Sequence, residues 1–181
     1  MQFCRLNIHL ETLEPVRLPS YKGAVIRGGF GLAFRRIACP FLKKECSDCL
    51  LRANCVWSYV FNTPRPEGSK IMRKYETIPH PFVIEPPEDD RTKLEKGEEL
   101  IFNLILIGKA INYLPYFILT FEKMAEQGLG PGRGRLKVKT VNQNGKPIYS
   151  PEKKSLLALP DIQRLYFSKL SRPCSCVTIH F

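Results

Sequence analysis

The sequence predicts an α+β domain in the ferredoxin-like βαββαβ order, with a cysteine-rich insertion after the first helix. Three observations carry that expectation. Apolar and polar residues alternate near the start of the chain and again after residue 134, which marks strands. Apolar residues recur at three and four positions in two other segments, which marks helices. Between those helices lie extended apolar runs and a segment holding four cysteines.

The elements follow in order. "FCRLNIHLE" puts Cys4, Leu6, Ile8 and Leu10 on one side, and Phe3, Arg5, Asn7, His9 and Glu11 on the other, as in a half-buried strand. A helix follows over 20–38, with Ile26, Phe30, Ala33, Phe34 and Ile37 as its apolar stripe and Ser20 as its N-cap. The cysteine-rich loop covers 39–55. "VWSYVFNT" and "PFVIEPP" read as two strands joined by a polar, proline-rich connection, and "EPPEDDRTKLEKGEE" as a charged turn region. "LIFNLILIGKA" reads as a buried strand. "YLPYFILTFEKMAEQG" reads as a second helix, with Pro115 near its start and Gly128 beyond its end. "GLGPGRGRLKVKTV" is glycine-rich and then alternates as a strand. The tail "CVTIHF" alternates once more and echoes Leu6 to Leu10. The domain is therefore expected to span 1–173. Residues 174–181 are expected to begin a second, similar domain of a longer protein.

Lys and Arg number 28 against 17 Asp and Glu, a formal net charge of +11. That balance favours a polyanionic partner, nucleic acid above all. No apolar run approaches the roughly 20 residues that span a bilayer. The start of the chain has no apolar core of a signal peptide, so no membrane partner is expected. Seven cysteines, an odd count without such a leader, point to a cytoplasmic protein whose thiols bind metal or stay reduced.

"GAVIRGGFGLAFRR", residues 23–36, is not a nucleotide loop. Gly23 and Gly28 have the phosphate-loop gap, but Gly29 and Phe30 stand where lysine and a hydroxyl are needed. Counting from Gly29 and Gly31, Phe34 stands where the dinucleotide fingerprint needs a third glycine. In a helix, Gly28, Gly29 and Gly31 each cost about 1 kcal/mol against alanine. They leave a bare surface that another backbone can approach. Flanked by Arg27 and Arg35, that backbone could be a nucleic acid; the alternative is close packing inside the fold.

In "CPFLKKECSDCLLRANC", Cys46 and Cys49 form a Cys-x2-Cys pair, the usual bite for zinc. With Cys39 and Cys55 they make four thiolates for a structural zinc. An iron–sulfur cluster, or cysteines left reduced or disulfide-bonded, are the alternatives. Four protein ligands leave no open position, so no metal is expected in catalysis.

Between Gly128 and Pro151 there are five basic residues and no acidic one. Alternating glycines around Arg133 would expose backbone N–H groups to a phosphate. Arg135, Lys137 and Lys139 share one face of the next strand and would track an RNA backbone; lysines that protect a sheet edge are the bland reading. The histidines are few. His80, between two prolines, and His9 are the candidates for a general base.

Four segments together resemble the CRISPR-associated endoribonucleases of the RAMP superfamily that process precursor CRISPR RNA. They are "LPSYKGAVIRGGFGLAFRRIAC", "CSDCLLRANCVWSYVFNTPRP", "HPFVIEPP" and "GLGPGRGRLKV", spanning roughly 18–142. The resemblance implies tandem ferredoxin-like (RRM-like) domains and metal-independent attack of a 2′-hydroxyl on the adjacent phosphate. It implies CRISPR repeat RNA as substrate and a role in antiviral defense. Catalytic histidines of that superfamily often sit in or near the first helix. Here that helix has none, and Tyr21, Lys22 and His80 are the candidate catalytic groups. Arg27, Arg35, Arg133, Arg135, Lys137 and Lys139 are the candidate RNA contacts. One alternative is a non-catalytic RNA-binding subunit of a CRISPR effector complex. Another is a metal-stapled interaction protein with no RNA role. RNA affinity would then lack the log–log salt slope of about −3.5 that five phosphate contacts on a single strand imply.

Overall fold

The computed structural model describes residues 1–63 and 78–166. The expected strand at 174–181 lies outside the described residues. The fold is a mixed α/β arrangement, a main antiparallel sheet with few helices.

Strand β1 (Gln2–Thr12) is its centre. Cys4, Leu6, Ile8 and Leu10 are fully buried on one side, as the alternation requires. Strand β5 (Glu99–Ile107) pairs antiparallel along nearly the whole of β1, from Phe3 opposite Ile107 to Glu11 opposite Glu99. On the far side of β5 lies the short β3 (Phe82–Glu85). On the other flank of β1 stands β6 (Leu136–Gln143), followed by the hairpin partner β7 (Lys146–Ser150) and then β8 (Ser155–Leu156). The order across the sheet is β3-β5-β1-β6-β7-β8, and β9 (Gln163–Arg164) pairs with the first residues of β1. Two short strands, β2 (Val16–Arg17) and β4 (Lys93–Leu94), form a separate ribbon.

Helices α1 (Gly23–Ala38) and α3 (Leu114–Gln127) cover the apolar side of the sheet. Phe30 of α1 is wholly buried and lies within 4.9–6.1 Å, ring centroid to centroid, of Phe34, Phe61, Phe82, Phe117 and Phe121. Pro115 sits in the first turn of α3, where its missing N–H costs nothing.

Three local expectations are corrected. "VWSYVFNT" is not a strand; Val56–Phe61 is helix α2. Its aromatic and β-branched residues favour strands only where a pleated surface receives them. Here Trp57 and Phe61, four apart, stack at 4.4 Å and pack on Phe34, which helical spacing alone allows. The buried strand in "LIFNLILIGKA" stops at Ile107, and Gly108–Tyr113 forms a 3-10 turn, with Gly108 at φ 58°. The N-cap of α1 is Lys22 rather than Ser20, with no side-chain cap bond.

Candidate nucleic-acid interface

The glycines of α1 sort into different roles. A Cβ on Gly29 would stand 3.2 Å from Met124 and Leu129, so its bareness lets α1 close against the end of α3. Gly31 lies under the Phe61 ring, and Gly28 faces open space. The close approach is thus partly internal, and Gly28 beside Arg27 is the glycine that leaves backbone open.

The glycine-rich loop is also different from the open phosphate cradle the sequence suggests. Leu129 and Gly134 exchange both backbone hydrogen bonds, at 3.0 and 3.1 Å, and the Arg133 N–H donates to the Gly130 carbonyl at 3.1 Å. Those amides are used within a closed hairpin. Gly130 has φ 74°, and a Cβ there would lie 2.0 Å from the Arg17 carbonyl oxygen. Gly130→Ala is expected to destabilise by about 1–3 kcal/mol from backbone strain alone, with the overlap adding to it. Gly132→Ala, which meets nothing within 4 Å, is expected to be near neutral. Paired urea melts check both.

The hairpin brings Arg133 to α1. Gly29, Leu32 and Arg36 of α1, Met124 and Gln127 of α3, and Gly128 and Arg133 line a cleft of about 330 Å³. Two arginines are among its lining residues and no acidic residue is. Leu32, 68% exposed, offers an apolar shelf beside them. Arg36 is not among the candidates the sequence singles out. Its signal is present: Gly29, Leu32 and Arg36 recur at three and four residues and share a face.

Lys137 and Lys139 are exposed along one side of β6, and Arg135 is exposed just before it. The register of β1 and β6 slips at His9/Leu10, so Lys139 is an extra residue, and a bulge of this kind re-aims a side chain. Each cation has a carboxylate partner supplied by another part of the chain. Arg135 meets Glu14 at 3.5 Å, Lys137 meets Glu11 at 3.0 Å and Lys139 meets Glu99 at 2.5 Å. Glu99 also takes the His9 ring at 2.9 Å, and Lys139 first and His9 second hold its carboxyl below the usual range. Such exposed pairs are worth roughly 0–1 kcal/mol and can exchange for phosphate. They nonetheless cancel the excess charge of this row.

The remaining candidates lie apart. Arg27 sits 4.9 Å over the Phe82 ring, and Arg35 sits 5.6 Å over Trp57 while donating to the Leu42 carbonyl at 3.0 Å. His80 stacks on Phe82 and packs at a tilt against Phe61, and its Nδ1 is buried with no partner among the described residues. Burial first, and then the charge of Arg27, push its pKa below the ordinary value. Tyr21 is 67% exposed and borders a groove of about 1000 Å³ that holds Glu85, Glu88, Asp89 and Asp90 against Arg5. That groove has the wrong sign for phosphate. Lys22 is fully buried; its amine pairs with Asp89 Oδ1 at 2.8 Å and donates to the carbonyls of Asp89 and Ser20. Tyr21 is thus exposed beside an acidic groove that His80 does not line, and Lys22 is buried.

Residues 1–161 match the AF_1859_N family, an N-terminal domain. The chain belongs to that family. This AF_1859_N domain is 25% identical, over 154 residues, to an uncharacterized protein of Archaeoglobus fulgidus. The match covers 84% of this chain and 50% of the relative, so the chain spans about half the length of the curated relative it matches. Among solved structures it is similar to a chain of the Csm3-Csm4 subcomplex of the type III-A CRISPR-Cas interference complex. There the TM-score is 0.46, the identity 14% and the coverage 77% of each chain. No helix among the described residues is long and apolar enough to cross a membrane.

Proposed function

We propose that this AF_1859_N domain is an RNA-binding unit of a CRISPR-associated RAMP-superfamily protein, holding a strand of repeat RNA along the cleft between α1 and the 129–134 hairpin. The observation that carries this reading is Arg36 and Arg133 lining one cleft without a carboxylate, on a chain of net charge +11. Strand order supports it. The run β3-β5-β1-β6, with α1 and α3 on one side, is compatible with a ferredoxin-like order that carries the cysteine segment as an insertion after α1. Its partners would be repeat RNA and subunits of a CRISPR effector complex.

The finer reading is an endoribonuclease that cleaves within repeats by 2′-hydroxyl attack, leaving a cyclic phosphate and a 5′-hydroxyl. In that scheme His80, held neutral by its surroundings, accepts the proton, Tyr21 donates one to the leaving oxygen and Lys22 offsets phosphorane charge. The acidic groove beside Tyr21, and the engagement of the Lys22 amine by Asp89, favour a second reading: a subunit that binds repeat RNA without cutting it.

Fluorescence anisotropy of labelled repeat RNA on the full-length protein tests the binding. The expected log–log salt slope for five phosphate contacts is about −3.5, and Arg36→Ala with Arg133→Ala should make it shallower by about 1.4. Lys137→Ala with Lys139→Ala should change it less, since those charges already have partners. Unchanged affinity in the Arg36/Arg133 variant sinks the proposed path. The same RNA, 5′-labelled and incubated in EDTA, separates the two finer readings. One cut with a cyclic phosphate end, lost in His80→Ala, supports the nuclease; bound but intact RNA supports the subunit.

A further inference from the structure

The loop between α1 and α2 has little of its own to hold it. From Pro40 to Asn54 every residue is exposed except Cys46 and Cys49. Leu42 and Leu50 are exposed, Leu50 at 92%, and Phe41 and Leu51 are about half exposed while lining the small cavity that the cysteines share. Apolar burial therefore contributes little to ordering this segment, and the two of its residues that are not exposed are cysteines. The Cys49 N–H donates to the Cys46 carbonyl at 3.4 Å, which closes a turn across the Cys-x2-Cys pair. Cys39 is the C-cap of α1 and Cys55 the N-cap of α2, so the other two thiols sit on the rigid ends of helices. All four line one cavity of about 10 Å³. That is about one water-sized sphere, the scale of a single ion.

We propose that Cys39, Cys46, Cys49 and Cys55 bind one zinc ion as a tetrathiolate that fastens the loop to both helices. Four Zn–S bonds form, four thiol protons pass to solvent and no electron moves. The resulting site carries a formal charge of −2. Lys44 and Arg52 line the same cavity and offset it. Among the described residues no three His, Cys, Asp or Glu side chains stand close enough to hold an ion. Zinc binding therefore draws the thiols together to Zn–S distances of about 2.3 Å. The movement falls on the exposed 40–54 segment, which has few contacts to break. The site lies beside Trp57 and the Arg35–Leu42 hydrogen bond, so closing it also fixes the Arg35 end of α1.

The test uses full-length protein expressed with zinc and purified without chelator. Elemental analysis should find one zinc per chain, and EDTA under native conditions should make four further thiols reactive to a disulfide reagent. Replacement by Co²⁺ should give the intense visible bands and sulfur-to-metal charge transfer of a tetrahedral thiolate site. Cys46→Ser with Cys49→Ser should lose the metal; if that variant fails to fold, the cobalt spectrum and thiol count of the parent protein still decide. Zinc no higher than background, iron with acid-labile sulfide, or disulfides among these cysteines by intact mass would each overturn the assignment. None of these readouts involves RNA, so the result is independent of the binding reading.

Discussion

Phe30→Ala is expected to lower the free energy of unfolding by about 3–5 kcal/mol, the range for removing a fully buried phenylalanine. The upper part of that range fits this site. Phe30 is 0% exposed, and five other rings surround it on α1, α2, α3 and β3. Those rings belong to four different elements, so no single side chain can swing in to fill the space. A domain of this size moves by about 2–4 °C in Tm per kcal/mol. A loss of about 4 kcal/mol would thus show as roughly 8–16 °C in a thermal melt. Phe30→Leu keeps most of the volume and should cost less than half as much. If Phe30→Ala melted within a few degrees of the parent protein, this aromatic cluster would not be the centre of the core.

Asp89→Ala is expected to destabilise by about 3 kcal/mol, the lower end for breaking a buried ion pair by removing one partner. The reason is Lys22. Its side chain is 0% exposed, and without Asp89 its ammonium keeps carbonyl acceptors but no counter-charge. Lys22→Met should be much milder. It removes the buried charge, keeps the volume, and leaves Asp89 paired with Arg91 at 3.1 Å near solvent. The asymmetry between the two variants is the diagnostic result, and equal losses would contradict it. The pair also sets a pH dependence. Lys22 first, and Arg91 second, hold the Asp89 carboxyl down to about 2 from an ordinary 3.8. Its contribution is therefore fully present above the ordinary value and is lost as pH falls through the range from 3.8 to about 2. Urea melts at descending pH should show this part of the acid loss vanish in Asp89→Asn.

Residue patterning by itself determines much of this domain. The alternation in Cys4, Leu6, Ile8 and Leu10 places β1 and its buried side, because a strand repeats every two residues whatever surrounds it. Ile26, Phe30, Ala33 and Phe34 place the buried face of α1 for the same kind of reason, with a period of 3.6. The cysteine spacing singles out four thiols that line one cavity.

Tertiary structure decides the rest. The segment "VWSYVF" carries strand-like residues, yet its aromatic pair needs a helix to reach Phe34, and propensity yields to that packing. The glycines at 29 and 130 have the composition of an opening for a ligand; each instead admits another part of the same chain. Most of all, the basic row on β6 reads as unopposed because its carboxylate partners, Glu11, Glu14 and Glu99, lie far away in sequence, the nearest 40 residues off. A sequence states how many charges a chain carries and which face of an element they share. Which charges neutralise one another is set by Coulomb interactions that weaken with distance and are screened over about 10 Å at 0.1 M salt, and folding alone brings such partners together.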